Sequence, residues 1–341
     1  MRRIATAIIG IAFLTGVSAS AQVLINGAGA TFPYPIYSKW FSEYHKQDPK
    51  VSINYQSIGS GGGIQQIISG TIDFGASDGP MNDEQIKEFH DKRHANILHF
   101  PTVLGGVVPT YNIPGIGFEL NFSPEALAGI YLGKITKWND PEIAKMNVGV
   151  NLPANDIVVV HRAESSGTTY CWTDYLSKVS KEWETKVGHS TAVKWPVGLG
   201  GKGNEGVTAQ VKQTPYSIGY VELIYAIQNH MSFGKVQNKA GEMVLASLQG
   251  VTAAAAGAAK NMPADFRVSI TDAPGAEAYP ISTFTWLLIP DKISDPVKLE
   301  TIKDFLHWML TTGQTMTEAL DYAPLPKSVV AMEEKAIAKI K

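Results

Sequence analysis

Short apolar runs alternate with amphipathic runs along this chain, and that alternation constrains the fold more than any other feature. Strand-like runs occupy residues 51–58, 97–100 and 103–111, and a helix-like run covers residues 64–69. Strands that alternate with amphipathic helices are covered by those helices on the faces of a sheet. The sequence therefore predicts an α/β fold.

Further helices are predicted where apolar residues recur at helical spacing. Ser123 is a candidate N-cap, and Pro124 suits the first helical turn because that position needs no N–H group. A helix is therefore expected over residues 123–132. Other segments with helical spacing are residues 241–260, 296–310 and 326–341.

The N-terminal segment has the pattern of a secretory signal peptide. Arg2 and Arg3 precede an apolar stretch over residues 4–17, and Ala19-Ser20-Ala21 forms a small-residue cleavage site before Gln22. The alternative, a transmembrane anchor, needs about 20 apolar residues, which is longer than this stretch. We expect residues 1–21 to be removed near Ala21-Gln22 and the protein to be exported.

Charge, size and cysteine content narrow the classes of function. The formal net charge is −2, and removing residues 1–21 takes away two arginines and no acidic residue, so the charge becomes −4. A net-negative chain does not attract nucleic acid. Cys171 is the only cysteine, which excludes an intrachain disulfide. The remaining 320 or so residues exceed the usual size of a single core, so two lobes are expected.

Three turns rich in glycine or hydroxyl residues precede helix-like segments, at residues 27–35, 59–63 and 162–169. A helix start leaves backbone N–H groups unpaired and carries partial positive charge, which makes it an anion site. Only one arginine, Arg162, lies in these turns, and an acidic segment occupies residues 74–78. The pattern predicts a small anion surrounded by hydrogen bonds rather than held by a basic cluster.

The glycine-rich segments depart from known nucleotide-binding loops. A dinucleotide loop would need glycine at position 64, which is Ile64. A triphosphate loop around residues 201–202 would need a hydroxyl residue at position 203, which is Gly203, and a glycine where Pro196 stands. We predict that residues 198–206 form a structural or partner-facing loop without a ligand role.

Eight motifs follow one another in an order that carries a family resemblance. They are GAGATFPYP (27–35), GSGGG (59–63), DFGASD (73–78), FPTVLGGVV (100–108), IYLGKITKWND (130–140), SSGTT (165–169), KWPVGLGGKGNEGV (194–207) and IGYVE (218–222). The chain resembles the periplasmic phosphate-binding proteins that supply Pst-type ABC phosphate transporters, from about Val23 to the LDYAPLP motif at residues 320–326. Eight ordered motifs are far more specific than any single glycine turn.

The resemblance implies a type II periplasmic binding protein, with two hinged lobes and a ligand cleft between them. Residues 22–106 and 282–341 would form the first lobe, and residues 107–281 the second. Residues 104–107 and 279–282 are the candidate crossings. Two crossing strands allow the lobes to close over a ligand.

The implied function is non-covalent capture of inorganic phosphate and its delivery to the membrane permease subunits of an ABC importer, which work with a cytoplasmic ATPase. The protein would act as a monomer without a cofactor. The alternatives are a binding protein for another tetrahedral oxyanion, such as arsenate or sulfate, and a periplasmic phosphatase-like enzyme.

The resemblance also implies which residues contact the phosphate: Ala30, Thr31, Phe32, Ser60, Asp78, Arg162, Ser166, Gly167 and Thr168. Hydroxyl groups and backbone N–H groups would donate hydrogen bonds, and the planar guanidinium of Arg162 suits two phosphate oxygens. Glu164 would pair with Arg162 and hold its geometry, although the family commonly has aspartate at that position. Asp78 would accept a hydrogen bond from phosphate, which keeps a proton near neutral pH, whereas sulfate has none to give.

The sequence gives little indication of a catalytic centre or a metal site. His161 has no identifiable nucleophile with a supporting carboxylate, and Cys171 is expected to be a buried helix residue. The spacing of His90, His94 and His99 resembles a metal cluster, but the charged residues between the first two favour a solvated helix. We therefore predict neither catalysis nor a metal site.

Overall fold

The computed structural model describes residues 22–341, so the predicted signal segment lies outside the described residues. The strands of this part are β1 (Val23–Gly29), β2 (Val51–Ser57), β3 (Phe74–Ser77), β4 (Ile97–Asn112), β5 (Asn121–Phe122), β6 (Val158–Arg162), β7 (Leu199–Gly201), β8 (Ser217–Glu222), β9 (Ser232–Phe233), β10 (Lys235–Gln237), β11 (Met243–Val244) and β12 (Ser282–Pro290). The helices are α1 (Tyr34–Gln47), α2 (Ser60–Ser69), α3 (Asp83–Arg93), α4 (Pro124–Tyr131), α5 (Pro141–Ala144), α6 (Gly167–Val179), α7 (Lys181–Lys186), α8 (Gly203–Gln213), α9 (Leu223–Gln228), α10 (Leu248–Lys260), α11 (Pro296–Leu310) and α12 (Lys327–Ile337).

A mixed sheet of order β2-β1-β3-β12-β4-β8-β6-β7 runs through the described chain, with β9 paired to β4. Parallel pairs join β1 to β2 and β3, and join β6 to β7 and β8. Strand β12 is antiparallel to both of its neighbours. A smaller sheet has the order β11-β10-β5. Helices alternate with the parallel strands, which confirms the predicted α/β class.

Strand β4 joins the two halves of the main sheet. Its residues from Ile97 to Gly106 pair with β12, and its residues from Val107 to Asn112 pair with β8. The partner therefore changes between Gly106 and Val107. The sequence suggested two runs here, but the strand is continuous: Thr102 is the extra residue of a bulge opposite Thr285/Trp286, directly after Pro101, which has no N–H to donate.

Aromatic side chains fill the space between helices and sheet in both halves. Phe41 of α1 packs against Phe305 of α11, with ring centroids 5.5 Å apart. Trp172 of α6 stacks on Tyr220 of β8 at 5.0 Å. This packing holds the N-termini of α1 and α6 in fixed positions relative to the sheet.

Two of the predicted helices begin where expected. Ser123 caps α4 by accepting a hydrogen bond from the N–H of Ala126 at 3.1 Å. The predicted helix over residues 296–310 is α11, and Asp295 accepts hydrogen bonds from its first turn. The last predicted helix, over residues 326–341, is shorter than expected, since α12 ends at Ile337.

Two other predicted helices have different starts. The expected helix over residues 241–260 begins only at Leu248, because Ser247 is its N-cap and Val244 belongs to β11. The expected helix over residues 64–69 begins earlier, at Ser60, so the glycine turn is itself the first helical turn. Glycine is required there by close packing: a Cβ on Gly63 would lie 2.5 Å from the carbonyl oxygen of Ala28.

Cys171 is buried in α6, as predicted. Burial raises the pKa of its thiol well above the usual value, which disfavours the reactive thiolate. Between residues 22 and 341, no helix combines the length and apolar character needed to cross a membrane.

Candidate functional site

The N-termini of α2 and α6 meet at the end of β3. The hydroxyl oxygen of Ser60 accepts hydrogen bonds from the N–H of Gly167 at 3.0 Å and from the N–H of Asp78 at 3.3 Å. The N–H of Gly61 donates to the carbonyl of Ser165 at 3.1 Å. Segments that are far apart in the sequence are thereby brought to one point.

Gly167 makes this close approach possible. A Cβ at position 167 would lie 2.5 Å from the Ser60 hydroxyl oxygen and 2.6 Å from the backbone nitrogen of Asp78. Real Cβ atoms do not come this near to other atoms, so a side chain here would push α2 and α6 apart. The glycine is needed for space rather than for an unusual backbone angle.

Three buried backbone N–H groups at this point are left without a partner. Phe32, Ser60 and Thr168 are each fully buried, yet among residues 22–341 no acceptor pairs with their backbone N–H groups. Buried N–H groups are nearly always paired, since leaving one unpaired is costly. Orphan donors from three separate segments therefore indicate a ligand that accepts hydrogen bonds.

Ala30 differs from its neighbours in this respect. Its N–H donates to the carbonyl of Ala76 at 3.0 Å, and its carbonyl accepts the Tyr55 hydroxyl at 2.7 Å. Both backbone groups are thus occupied within the protein. In this arrangement Ala30 has no free N–H to offer, whereas Phe32 does.

Arg162, at the end of β6, is 97 % shielded from solvent, with 3 % of its surface exposed. Its Nε donates to Oε1 of Glu164 at 2.9 Å, Nη2 contacts the same oxygen, and Nη1 donates to the Thr168 hydroxyl at 3.1 Å. The longer Glu164 side chain therefore does pair with the arginine. Of the five N–H donors of a guanidinium, two remain for a ligand.

Asp78 is the only buried carboxylate among the predicted ligand residues, with 1 % exposure. Thr285 of β12 donates to its Oδ1 at 2.9 Å. Burial raises the pKa of the Asp78 carboxyl to about 7, although the hydrogen bond from Thr285 and the charge of Arg162 oppose the rise. Near neutral pH this group can either accept or donate a proton.

Three hydroxyl groups complete the site. Ser166 caps α6 by accepting the N–H of Thr169 at 3.1 Å, so its own proton stays available. Thr31 and Thr168 are buried and both accept hydrogen bonds from the side chain of Asn204. Together with Ser60, these hydroxyls surround the position that the orphan N–H groups define.

Some residues that support this site were not predicted from the sequence. The predicted loop over residues 198–206 contains β7 and the start of α8 instead, and the N–H of Gly203 donates to Glu164 Oε1 at 2.9 Å. Asn204 stood within a family motif, but no pattern in the sequence tied it to Thr31. No sequence pattern indicated a role for Thr285, because only the register of the sheet places it beside Asp78.

The histidines considered as metal ligands lie apart from this site. His90 and His94 are exposed at the end of α3, and His99 is buried in β4, where Nε2 accepts the N–H of Met81 at 3.1 Å. In the part of the chain that the structure describes, no three His, Cys, Asp or Glu side chains are grouped as a metal site would require.

Comparisons with known proteins identify the family of this chain. The model of a PBP superfamily domain matches residues 16–312. A phosphate-binding protein PstS from Pasteurella multocida is 48 % identical over 95 % of this chain and 92 % of the relative. One from Methanocaldococcus jannaschii is 40 % identical over 94 % of this chain and 87 % of the relative.

A solved structure shares the fold. The crystal structure of a phosphate-binding protein from Stenotrophomonas maltophilia superposes with a TM-score of 0.68 at 19 % identity, covering 92 % of this chain and 93 % of the other. At that identity the match shows only a common fold, so the assignment to a family rests on the sequence relatives. The chain therefore belongs to the PBP superfamily and, within it, to the PstS family of phosphate-binding proteins.

Proposed function

We propose that this protein binds inorganic phosphate in the periplasm and delivers it to the membrane permease of an ABC importer. The observation that carries the proposal is the set of buried, unpaired N–H groups of Phe32, Ser60 and Thr168 around one point. A multiply charged oxyanion with four oxygens can satisfy all of them. The PstS relatives, which are named as phosphate-binding proteins, support the same ligand.

The ligand set that we propose is Ala30, Thr31, Phe32, Ser60, Asp78, Arg162, Ser166, Gly167 and Thr168. Within it, Ala30 and Gly167 would shape the site, since their N–H groups are already used within the protein. The others would supply donors, apart from Asp78. Glu164 would act one contact away by fixing Arg162.

The side chains and N–H groups of this site suit reversible binding of an anion without a chemical reaction. Their hydroxyl and N–H donors would replace the hydration shell of a phosphate, and Arg162 would supply a neighbouring positive charge. A phosphatase would need an activated nucleophile, and the burial that raises the pKa of Cys171 argues against that thiol. We therefore propose a binding protein rather than an enzyme.

Equilibrium calorimetry with phosphate, arsenate and sulfate tests this proposal. Phosphate and arsenate share shape and protonation, so both are expected to bind, whereas sulfate should bind far more weakly at pH 8. A parallel assay with a chromogenic phosphate ester should show no hydrolysis. Tight sulfate binding with no phosphate binding, or hydrolysis of the ester, would contradict the proposal.

We further propose that residues 22–106 and 282–341 form one lobe and residues 107–281 the other. The change of β4 partner between Gly106 and Val107 supports this division. Several hydrogen bonds would then join the lobes, including one from Gly167 to Ser60 at 3.0 Å and one from Arg267 Nη1 to Asp83 Oδ1 at 2.7 Å. The arrangement described here would be the closed form.

Phosphate is expected to drive that closure. Each lobe would hold only part of the donor set, so the free protein should favour an open form in which both parts are hydrated. Small-angle scattering should show a radius of gyration of about 20 Å with saturating phosphate, the value for a compact chain of this length, and a larger one without it. Sulfate at matched ionic strength is the control. Equal radii at proven saturation would remove the hinge from this proposal.

The export pathway and partners follow from the same assignment. Residues 1–21 would act as a cleaved signal peptide, and the mature protein would reach the periplasm as a monomer. There it would meet the permease subunits, which are coupled to a cytoplasmic ATPase. The signal-like pattern of residues 1–21 and the PstS family support this view.

A further inference from the structure

Asn204 lies at the centre of the hydroxyl network, in the first turn of α8. It is fully buried. Its Nδ2 donates to the hydroxyl oxygen of Thr31 at 2.8 Å and to that of Thr168 at 3.2 Å. One amide nitrogen has two N–H bonds, so it can serve both hydroxyls at once.

The orientation of this amide is fixed by its other end. Oδ1 of Asn204 accepts the N–H of Glu222 at 3.0 Å. A flipped amide would set its NH₂ group against that N–H donor, and both would lack an acceptor. The hydrogen bond from Glu222 therefore keeps Nδ2 directed at Thr31 and Thr168.

The hydrogen bonds from Asn204 leave the Thr31 hydroxyl able to act only as a donor. A hydroxyl has two acceptor positions and one proton. Thr31 Oγ1 already accepts from Asn204 twice, from Nδ2 and from the backbone N–H at 3.3 Å. Its own proton has no acceptor among the described residues, so it is free for a ligand oxygen.

Thr168 is restricted in the same way. Its Oγ1 accepts from Nδ2 of Asn204 and from Nη1 of Arg162 at 3.1 Å, which fills both acceptor positions. Its proton must therefore be donated. It can go to a ligand oxygen or to the carboxylate of Asp78, and a hydrogen bond from Thr168 to that carboxylate would lower the pKa of Asp78.

We infer that Asn204 is a positioning residue for anion binding, which fixes both hydroxyls as donors, that of Thr31 toward the ligand and that of Thr168 toward the ligand or Asp78. It would also join the proposed lobes, since Thr31 lies in the first and Asn204 in the second. The inference rests on the proposed function, because the ligand acceptors of these hydroxyl protons would be oxygens of the bound phosphate.

Alanine and aspartate at position 204 test the inference. Asn204→Ala should weaken phosphate binding by about 10- to 100-fold, since two buried hydroxyls lose their orientation. Asn204→Asp keeps an acceptor for the Glu222 N–H but would accept the hydroxyl protons instead of directing them to the ligand. It should weaken binding at least as much, and it replaces the alanine variant if that one does not fold.

A buried asparagine elsewhere provides the matched control. Asn238 is buried, and its Nδ2 donates to the carbonyls of Gly275, Ala276 and Ala278. Asn238→Ala should lower the midpoint of thermal unfolding without phosphate but change the phosphate affinity by no more than about twofold. Equal affinity losses in the alanine variants at positions 204 and 238 would overturn the positioning role.

A coupling experiment separates positioning from a general structural effect. In a Thr31→Val, Thr168→Val background there are no hydroxyls to orient, so adding Asn204→Ala should weaken binding by no more than about threefold. Fully additive losses would overturn the inference. If the wild type binds phosphate and the Asn204 variants bind equally well, only this inference fails; if the wild type does not bind phosphate, the proposed function fails.

Discussion

Replacing Arg162 by lysine is expected to weaken phosphate binding by about a hundredfold or more, although the positive charge is kept. The guanidinium uses three of its N–H groups on Glu164 and Thr168 and has two left for a ligand. A lysine ammonium has three donors on one atom and cannot serve Glu164, Thr168 and two ligand oxygens together. Calorimetric titration of phosphate into the two proteins measures the difference.

Two variants control this experiment. Arg93→Lys makes the same exchange at an exposed position of α3 and should leave phosphate affinity unchanged. Glu164→Gln keeps an acceptor oxygen for Arg162 and for the N–H of Gly203, so its effect should be smaller than that of Arg162→Lys. An unchanged affinity in Arg162→Lys would count against a direct contact between Arg162 and phosphate. A larger loss in Glu164→Gln would reverse the assignment.

The α/β class was predictable because it depends on local patterns. Strands and helices such as β2, α4 and α11 follow from hydrophobic periodicity and from capping residues like Ser123, which act within a few neighbouring positions. The start of α2 at Ser60 was not predictable in this way. Its glycines are weak helix formers, and one of them, Gly63, is needed because the helix packs tightly on the end of β1.

The residues of the candidate site also fall into two groups, those indicated by local sequence patterns and those placed only by long-range contacts. Ser60 and Ser166 stand at helix starts and Thr31 lies in the turn before α1, so their turn chemistry is visible in the sequence. The supporting contacts of Asn204 and Thr285 are not, because each depends on a long-range approach of two elements. The pairing of Glu164 with Arg162 also needed the structure, which shows that the longer side chain still reaches the guanidinium.

Replacing Asp78 by asparagine should narrow the preference for phosphate over sulfate by a large factor while phosphate binding persists. The ionised carboxylate can only accept hydrogen bonds, so it repels an oxyanion that has no proton to give. The asparagine amide can turn its NH₂ group toward an unprotonated oxygen. We expect Asp78→Asn to bind sulfate at least about a hundredfold more tightly than the wild type at pH 8, since an unfavourable charge contact of several kcal/mol is removed.

The pH dependence of sulfate binding gives a second, independent readout of the same group. Burial raises the pKa of Asp78 to about 7, so the carboxyl is mostly ionised at pH 8 and mostly protonated below pH 6. The protonated form can donate to a sulfate oxygen. Sulfate affinity of the wild type should therefore rise as the pH falls, by about tenfold per unit above the pKa, and level off below it. Sulfate itself carries no proton over this range, so the titration reports the protein.

Asparagine has no proton to gain or lose, so the sulfate affinity of Asp78→Asn should be nearly flat from about pH 6 to about pH 9. Asp156→Asn is the matched control, because it removes an exposed carboxylate that pairs with Lys137 outside the site and should keep the wild-type pH profile. If Asp78→Asn still fails to bind sulfate while it binds phosphate, selectivity must come from the donors or from the shape of the cleft. A wild-type sulfate profile without any pH dependence would lead to the same conclusion, because the carboxyl would then not face the anion.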